Sequence, residues 1–195
     1  MPRADRRQEI MRAAEGLFTS RRYHEVTTDD IARAARVGKG TIYRYFEDKD
    51  DLFFQVATSG FDELCELLAR RVPGDAPFRE QLLSACGEIA RFFRRRAQLL
   101  RMMQAEEGRL PWLKPRLRSR WAAHRKKLVS AVAAILRKGV EEGHVRADIP
   151  CEVLAHFLLG MLRTRGRQLA EAPAAMRSDA MIVDLFCHGV APSGD

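Results

Sequence analysis

Long apolar runs are missing from this chain. No stretch of about 18 apolar residues occurs, so a membrane-spanning helix is not expected. β-branched residues are sparse and few segments alternate with period two, which argues against a β fold. Cysteine is confined to Cys65, Cys86, Cys151 and Cys187, far apart and without a CxxC pair. They read as reduced, mostly buried thiols rather than a disulfide framework or a zinc site. The histidines His24, His124, His144, His156 and His188 show no metal-like spacing with each other or with cysteine. No nucleophile-and-base motif stands out. Gly38-Lys39-Gly40-Thr41 fails the phosphate-loop pattern, because no Ser or Thr follows Lys39 directly and no strand precedes it. An enzyme, a metal and a cofactor are therefore not expected. The N-terminus, Met1-Pro2-Arg3-Ala4-Asp5-Arg6-Arg7, is basic, but no apolar leader core follows, so a cytoplasmic location is the expectation.

What is present points to helices. Ala, Leu, Arg and Glu dominate the 195 residues, 46% of which are hydrophobic and 31% charged. That balance supports a proper core and excludes a disordered chain. The net charge of +8 fits a polyanionic partner without proving one. Its distribution is uneven. Residues 1–50 hold 11 cations against 9 anions, whereas residues 91–127 hold 13 cations against Glu106 and Glu107 alone. The Arg-rich run there, including Arg94, Arg95, Arg96, Arg101, Arg109, Arg116, Arg118 and Arg120, reads as solvated surface.

Apolar spacing predicts a first helix over 6–19, carried by Ile10, Ala14, Leu17 and Phe18. Thr27-x-x-Asp30 approximates a capping box and opens a second helix. Arg36-Val37-Gly38 makes a turn, 39–46 forms a third helix, and Asp48 caps a fourth that runs to about Arg71. Val72-Pro73-Gly74-Asp75-Ala76-Pro77 breaks the chain. Further helices are expected over 78–96, 98–107, 114–142, 151–171 and 174–190. The division is a small N-terminal domain over 1–50 and a second domain over 51–195, with the fourth helix shared.

Two short helices joined by a tight turn, the second loaded with polar and aromatic side chains, make a helix-turn-helix reading head. Ile42 and Phe46, four apart, can anchor the third helix. Lys39, Thr41, Tyr43, Arg44 and Tyr45 are left outward or sideways. Arg44 can donate a bidentate pair to guanine, Thr41 can meet a thymine methyl or a phosphate, and both tyrosines can offer hydroxyls to phosphates. Gly40 permits close approach. Thr27 and Thr28 at the start of the second helix, and Lys49 at the start of the fourth, are further phosphate candidates.

The spelling Lys39-Gly40-Thr41-Ile42-Tyr43-Arg44-Tyr45-Phe46, followed by Lys49-Asp50-Asp51-Leu52, resembles the tetracycline-repressor (TetR) family of bacterial transcription regulators over about residues 8–55. Beyond that, the likeness is one of size and helical layout. It implies an all-α fold: a three-helix helix-turn-helix domain joined by a long fourth helix to a ligand-binding and dimerisation domain. Family members use the matching Thr, Lys and Tyr positions on DNA. Arg36 stands where the family usually has Gly, so it bears strain or itself touches phosphate. Gly38 replaces the usual Ser or Thr cap.

The resemblance also implies a homodimer through the last two helices, at Leu154, Leu158, Met161, Ile182, Leu185 and Phe186. The apolar run 181–187 is consistent with burial on both sides. A hydrophobic or amphipathic effector is expected among Phe92, Met102, Met103, Trp112, Trp121, His156, Phe157 and Arg163. The expected function is a ligand-responsive regulator, read as a repressor, that releases a two-fold operator on binding a small molecule. The alternatives are a helical DNA-binding protein without a ligand and an activator of the same layout.

Overall fold

The computed structural model describes residues 3–95, 115–169 and 171–190. Eight α-helices occur among them and no strand. They fall into two compact units. The first takes the residues up to Gly60 together with 115–124; the second takes Phe61–Arg95 and the residues from Arg125 onward.

In the first unit, α1 (Arg3–Ser20) turns Ile10, Ala14 and Phe18 inward at helical spacing. A 3-10 turn over Tyr23–Glu25 follows. The Tyr23 ring stacks on Phe18 and meets Phe53 edge-on, with centroids 5.8 and 5.0 Å apart. α2 (Thr28–Ala34) starts on a true capping box: the Thr27 hydroxyl accepts from Asp30 N–H at 3.1 Å, and the Asp30 carboxylate accepts from Thr27 N–H at 3.1 Å. α2 ends on Arg36 at φ 53°, with Val37 N–H donating to Ala32 C=O at 2.9 Å and Arg36 N–H to Arg33 C=O at 3.2 Å. This is a Schellman ending, which normally favours glycine.

α3 is regular over Lys39–Tyr43, shorter than the 39–46 expected. Tyr45 and Phe46 N–H both donate to Ile42 C=O at 3.0 Å, so the backbone tightens into a turn that still carries Phe46 inward. Asp48 caps α4 (Lys49–Arg71) by accepting from Asp51 N–H at 2.8 Å. The buried Asp51 carboxylate in turn accepts from Glu47 N–H at 3.2 Å, Gln55 at 2.8 Å and Arg120 at 3.1 Å. Arg120 lies on the first turns of α6 (Pro115–Glu141), as does Arg116, which pairs with Glu47.

The second unit packs α5 (Phe78–Arg95), the later turns of α6, α7 (Cys151–Arg167) and α8 (Asp179–Val190) around one core. Leu82, Cys86 and Ile89 meet Val132, Leu136, Leu158 and Phe186 there. Gly139 has no room for a side chain: a Cβ would sit 2.7 Å from Val145 and 2.8 Å from Phe78. α6 ends on Gly143 at φ 74°.

The single last helix expected over 174–190 is instead a 3-10 turn (Ala174–Arg177) followed by α8. Ser178 causes the split. Its backbone is extended, at ψ 151°, and its hydroxyl accepts from Met181 N–H at 3.1 Å as an N-cap. The helix expected over 98–107 lies outside the described residues.

Candidate nucleic-acid interface

The reading head is held from behind by Ile31, Ala32, Ile42 and Phe46, with the last two only 1% exposed. The i, i+4 anchor read from the sequence is therefore the buried side of α3. On the other side, Thr27, Arg36, Lys39, Gly40, Tyr43 and Arg44 are exposed, while Thr28, Thr41, Tyr45 and Lys49 are half-buried. Tyr43 leaves 49% of its surface open. The Thr28 hydroxyl lies 3.4 Å from the Tyr43 hydroxyl. The Lys39 ammonium donates to Asp29 at 2.8 Å, and that carboxylate raises the lysine's affinity for its proton. Hydrogen bonds from Thr27, its side chain first and then its N–H, hold the Asp30 carboxyl below its ordinary range.

Two candidates are partly committed inside the head. The Thr27 hydroxyl is engaged with Asp30 as the α2 cap. Lys49 donates to the Tyr23 and Val26 carbonyls at 3.0 and 2.8 Å, with its ammonium 4.1 Å from the Tyr23 ring centre. Two of its three N–H groups are thus taken, so Lys49 is first a clamp between α4 and the segment before α2. Spacing gave no hint of these contacts, because each joins residues more than twenty positions apart. Asp29 was also missed: an acid in the first turn of a helix reads as dipole compensation.

The described residues named for an effector have different local settings. Trp121 belongs to the first unit, where its ring lies 6.3 Å from Phe54. Phe92 is buried in the core of the second. His156, Phe157 and Arg163 are on the surface, Phe157 at 65% exposure, which does not suit the wall of an enclosed cavity. Met102, Met103 and Trp112 lie outside the described residues.

The residues named for dimerisation divide. Leu154, Leu158, Ile182 and Phe186 are core residues of the protomer; Met161 is half-buried; Leu185 is 61% exposed. Val153 and Phe157 join Leu185 among the exposed large apolar side chains. A helix apolar nearly all round, as α8 is, leaves the inward face undetermined by sequence, and the protomer core takes Ile182 and Phe186 there rather than Leu185.

No helix among the described residues is long and apolar enough to cross a membrane. A polar, cationic α3 presented by a two-residue anchor beside a capped α2 defines a helix-turn-helix DNA-binding protein. Residues 10–56 match the family model of bacterial regulatory proteins, tetR family. The chain is 27% identical over 153 residues to the HTH-type transcriptional repressor AcnR of Corynebacterium diphtheriae, covering 78% of this chain and 75% of that one. Among solved structures it resembles the TetR family regulator PfmR from Thermus thermophilus, with a TM-score of 0.70, 24% identity and coverage of 92% and 97%. It also resembles FadR from Bacillus subtilis in complex with stearoyl-CoA, with a TM-score of 0.78, 19% identity and coverage of 94% and 98%. Over residues 10–56 the chain is a TetR-family DNA-binding domain, and over most of its length it is similar to regulators of that family.

Proposed function

We propose that the protein is a ligand-responsive repressor that binds a two-fold operator as a homodimer and lets go when a small molecule is bound. The observation that carries this reading is the α2–α3 face, where Arg36, Lys39, Tyr43 and Arg44 stand exposed over a buried Ile42 and Phe46. Arg44 reads a base, with guanine the best match for its fork. Arg36, Thr28, Thr41 and Tyr43 hold phosphates, Tyr45 adds its hydroxyl from the side, and Lys49 contributes at most its third N–H. Gly40 admits the backbone of the DNA.

Dimerisation uses the outer faces of α7 and α8, through Val153, Phe157 and Leu185 with Met161 beside them. Large apolar side chains exposed on neighbouring helices favour a protein partner, and a second copy supplies the two-fold that a paired head needs. The effector is hydrophobic or amphipathic; an acyl thioester is the class suggested by the FadR likeness. It need only prefer the non-binding state by a few kcal/mol to release DNA.

The test is selection of duplexes from a random pool, then anisotropy on the enriched sequence with and without acyl-CoA. Enrichment of a two-fold sequence and release by the acyl thioester are expected. No enrichment would refute the DNA reading. Thermal stabilisation by the thioester with unchanged DNA affinity would refute regulatory coupling.

A further inference from the structure

Two cross-links tie the first turn of α2 to α3, and they span α3 from end to end. Thr28 meets Tyr43 at its C-terminal end; Asp29 meets Lys39 at its N-terminal end. Asp29, Lys39 and Tyr43 are exposed and Thr28 is half-buried, and neither pair belongs to the α2 cap, which uses Thr27 and Asp30. Arg33 pairs with Asp30. Of the cations on α2, the turn and α3, Arg36 and Arg44 therefore carry no ion pair among the described residues, while Lys39 carries one at 2.8 Å.

This sorting has consequences on a polyanion. A phosphate brought to the Lys39 ammonium would set a second anion beside Asp29, whether or not one N–H stays on the carboxylate. The Coulombic gain is close to nil and the repulsion is new. A base edge makes no such demand. An ammonium has three N–H groups, so one can stay on Asp29 while the others reach the guanine O6 and N7 acceptors. We propose that Asp29 is a specificity-determining residue: it withholds Lys39 from the phosphate backbone and reserves it for a base edge. The proposal rests on the reading that the α2–α3 face binds DNA.

Asp29→Asn tests it, because the side chain is exposed and outside the cap. Wild type, Asp29→Asn, Lys39→Ala and the double variant are compared on two duplexes across a salt series. One duplex is selected from a random pool by the wild-type protein; the other is its scramble. Asp29→Asn should tighten binding to the scramble and steepen its salt dependence by about 0.9 in log–log slope, as one more phosphate is neutralised. The ratio of affinities for selected over scrambled duplex should fall about tenfold, the worth of one specific contact. In the Lys39→Ala background, Asp29→Asn should leave both ratio and slope unchanged.

The double variant separates positioning from simple charge removal, which would tighten both duplexes alike with or without Lys39. A ratio unmoved by Asp29→Asn, or a fall that persists without Lys39, overturns the proposal. Arg44→Ala is run alongside. If it leaves affinity for both duplexes unchanged, or if wild type enriches no duplex, the DNA face itself is wrong and the proposal falls with it. If Arg44→Ala abolishes selection while Asp29→Asn changes nothing, only the role of Asp29 is lost.

Discussion

Two helices in this molecule end on the same hydrogen-bond pattern with different residues at its left-handed position. In the second unit α6 ends on Gly143 at φ 74°, with His144 N–H on Gly139 C=O at 2.8 Å and Gly143 N–H on Val140 C=O at 3.0 Å. In the first unit α2 ends on Arg36 at φ 53° with the equivalent pair of bonds. Glycine takes that conformation freely; a side chain there costs roughly 1–2 kcal/mol. The exposed surfaces differ in the same spirit. The head leaves cations and a tyrosine open, whereas α7 and α8 leave Phe157 and Leu185 open. Each unit keeps its locally costly groups on the face that the proposed function gives to a partner.

The sharpest way to break that contrast is to charge the apolar face. Phe157→Glu should fold, because the side chain is exposed in the protomer, but it should be monomeric by light scattering. Losing the paired head should lower operator affinity by roughly 10²–10⁴-fold. A Phe157→Glu protein that stays dimeric would remove this face from the dimer. Phe186→Glu is no substitute: Phe186 is in the core, and an unpaired carboxylate there should unfold the protomer.

Next in size is the anchor of the head. Phe46→Ala should cost about 3–5 kcal/mol of stability, seen as a lower denaturant midpoint, and abolish DNA binding. An unchanged midpoint would mean that Phe46 is not a packing residue. Arg44→Ala should leave the midpoint where it is. It should cost about 1–3 kcal/mol on the selected duplex and relax sequence preference. Equal losses on selected and scrambled duplexes would make Arg44 a phosphate contact instead.

The parts legible in the sequence were those set by short-range periodicity and turn chemistry. Ile42 and Phe46 declared themselves by spacing, Thr27 and Asp30 by the capping box, and Asp48 by its place before α4. The α8 face was not legible, because a helix apolar nearly all round has no unique phase until its neighbours choose one, whereas the α7 stripe was legible apart from Phe157 at its exposed edge. Ser178 was readable as a cap, but the apolar residues after it suggested one continuous helix. The links Lys49 to Val26, Asp51 to Arg120 and Asp29 to Lys39 join separate elements, and no periodicity announces them.

The smallest expected effect bears most directly on the two turns. Arg36→Gly relieves the left-handed strain, roughly 1–2 kcal/mol, but adds the conformational entropy of an unfolded glycine, roughly 0.5–1 kcal/mol. The balance is a gain of roughly 0–1.5 kcal/mol, visible as a slightly higher melting temperature. The arginine carries no ion pair among the described residues, so no charge contact of its side chain within them offsets its strain. If phosphate contact repays it, Arg36→Gly should be more stable yet bind selected and scrambled duplexes more weakly by the same factor. Its salt dependence should be shallower by about 0.9 in slope. Arg36→Asn, which tolerates the left-handed region without glycine's entropy, should bind DNA as weakly as Arg36→Gly. Greater stability with unchanged DNA affinity in both variants would leave the arginine as strain without a use on DNA, and the two turns would then differ by residue alone.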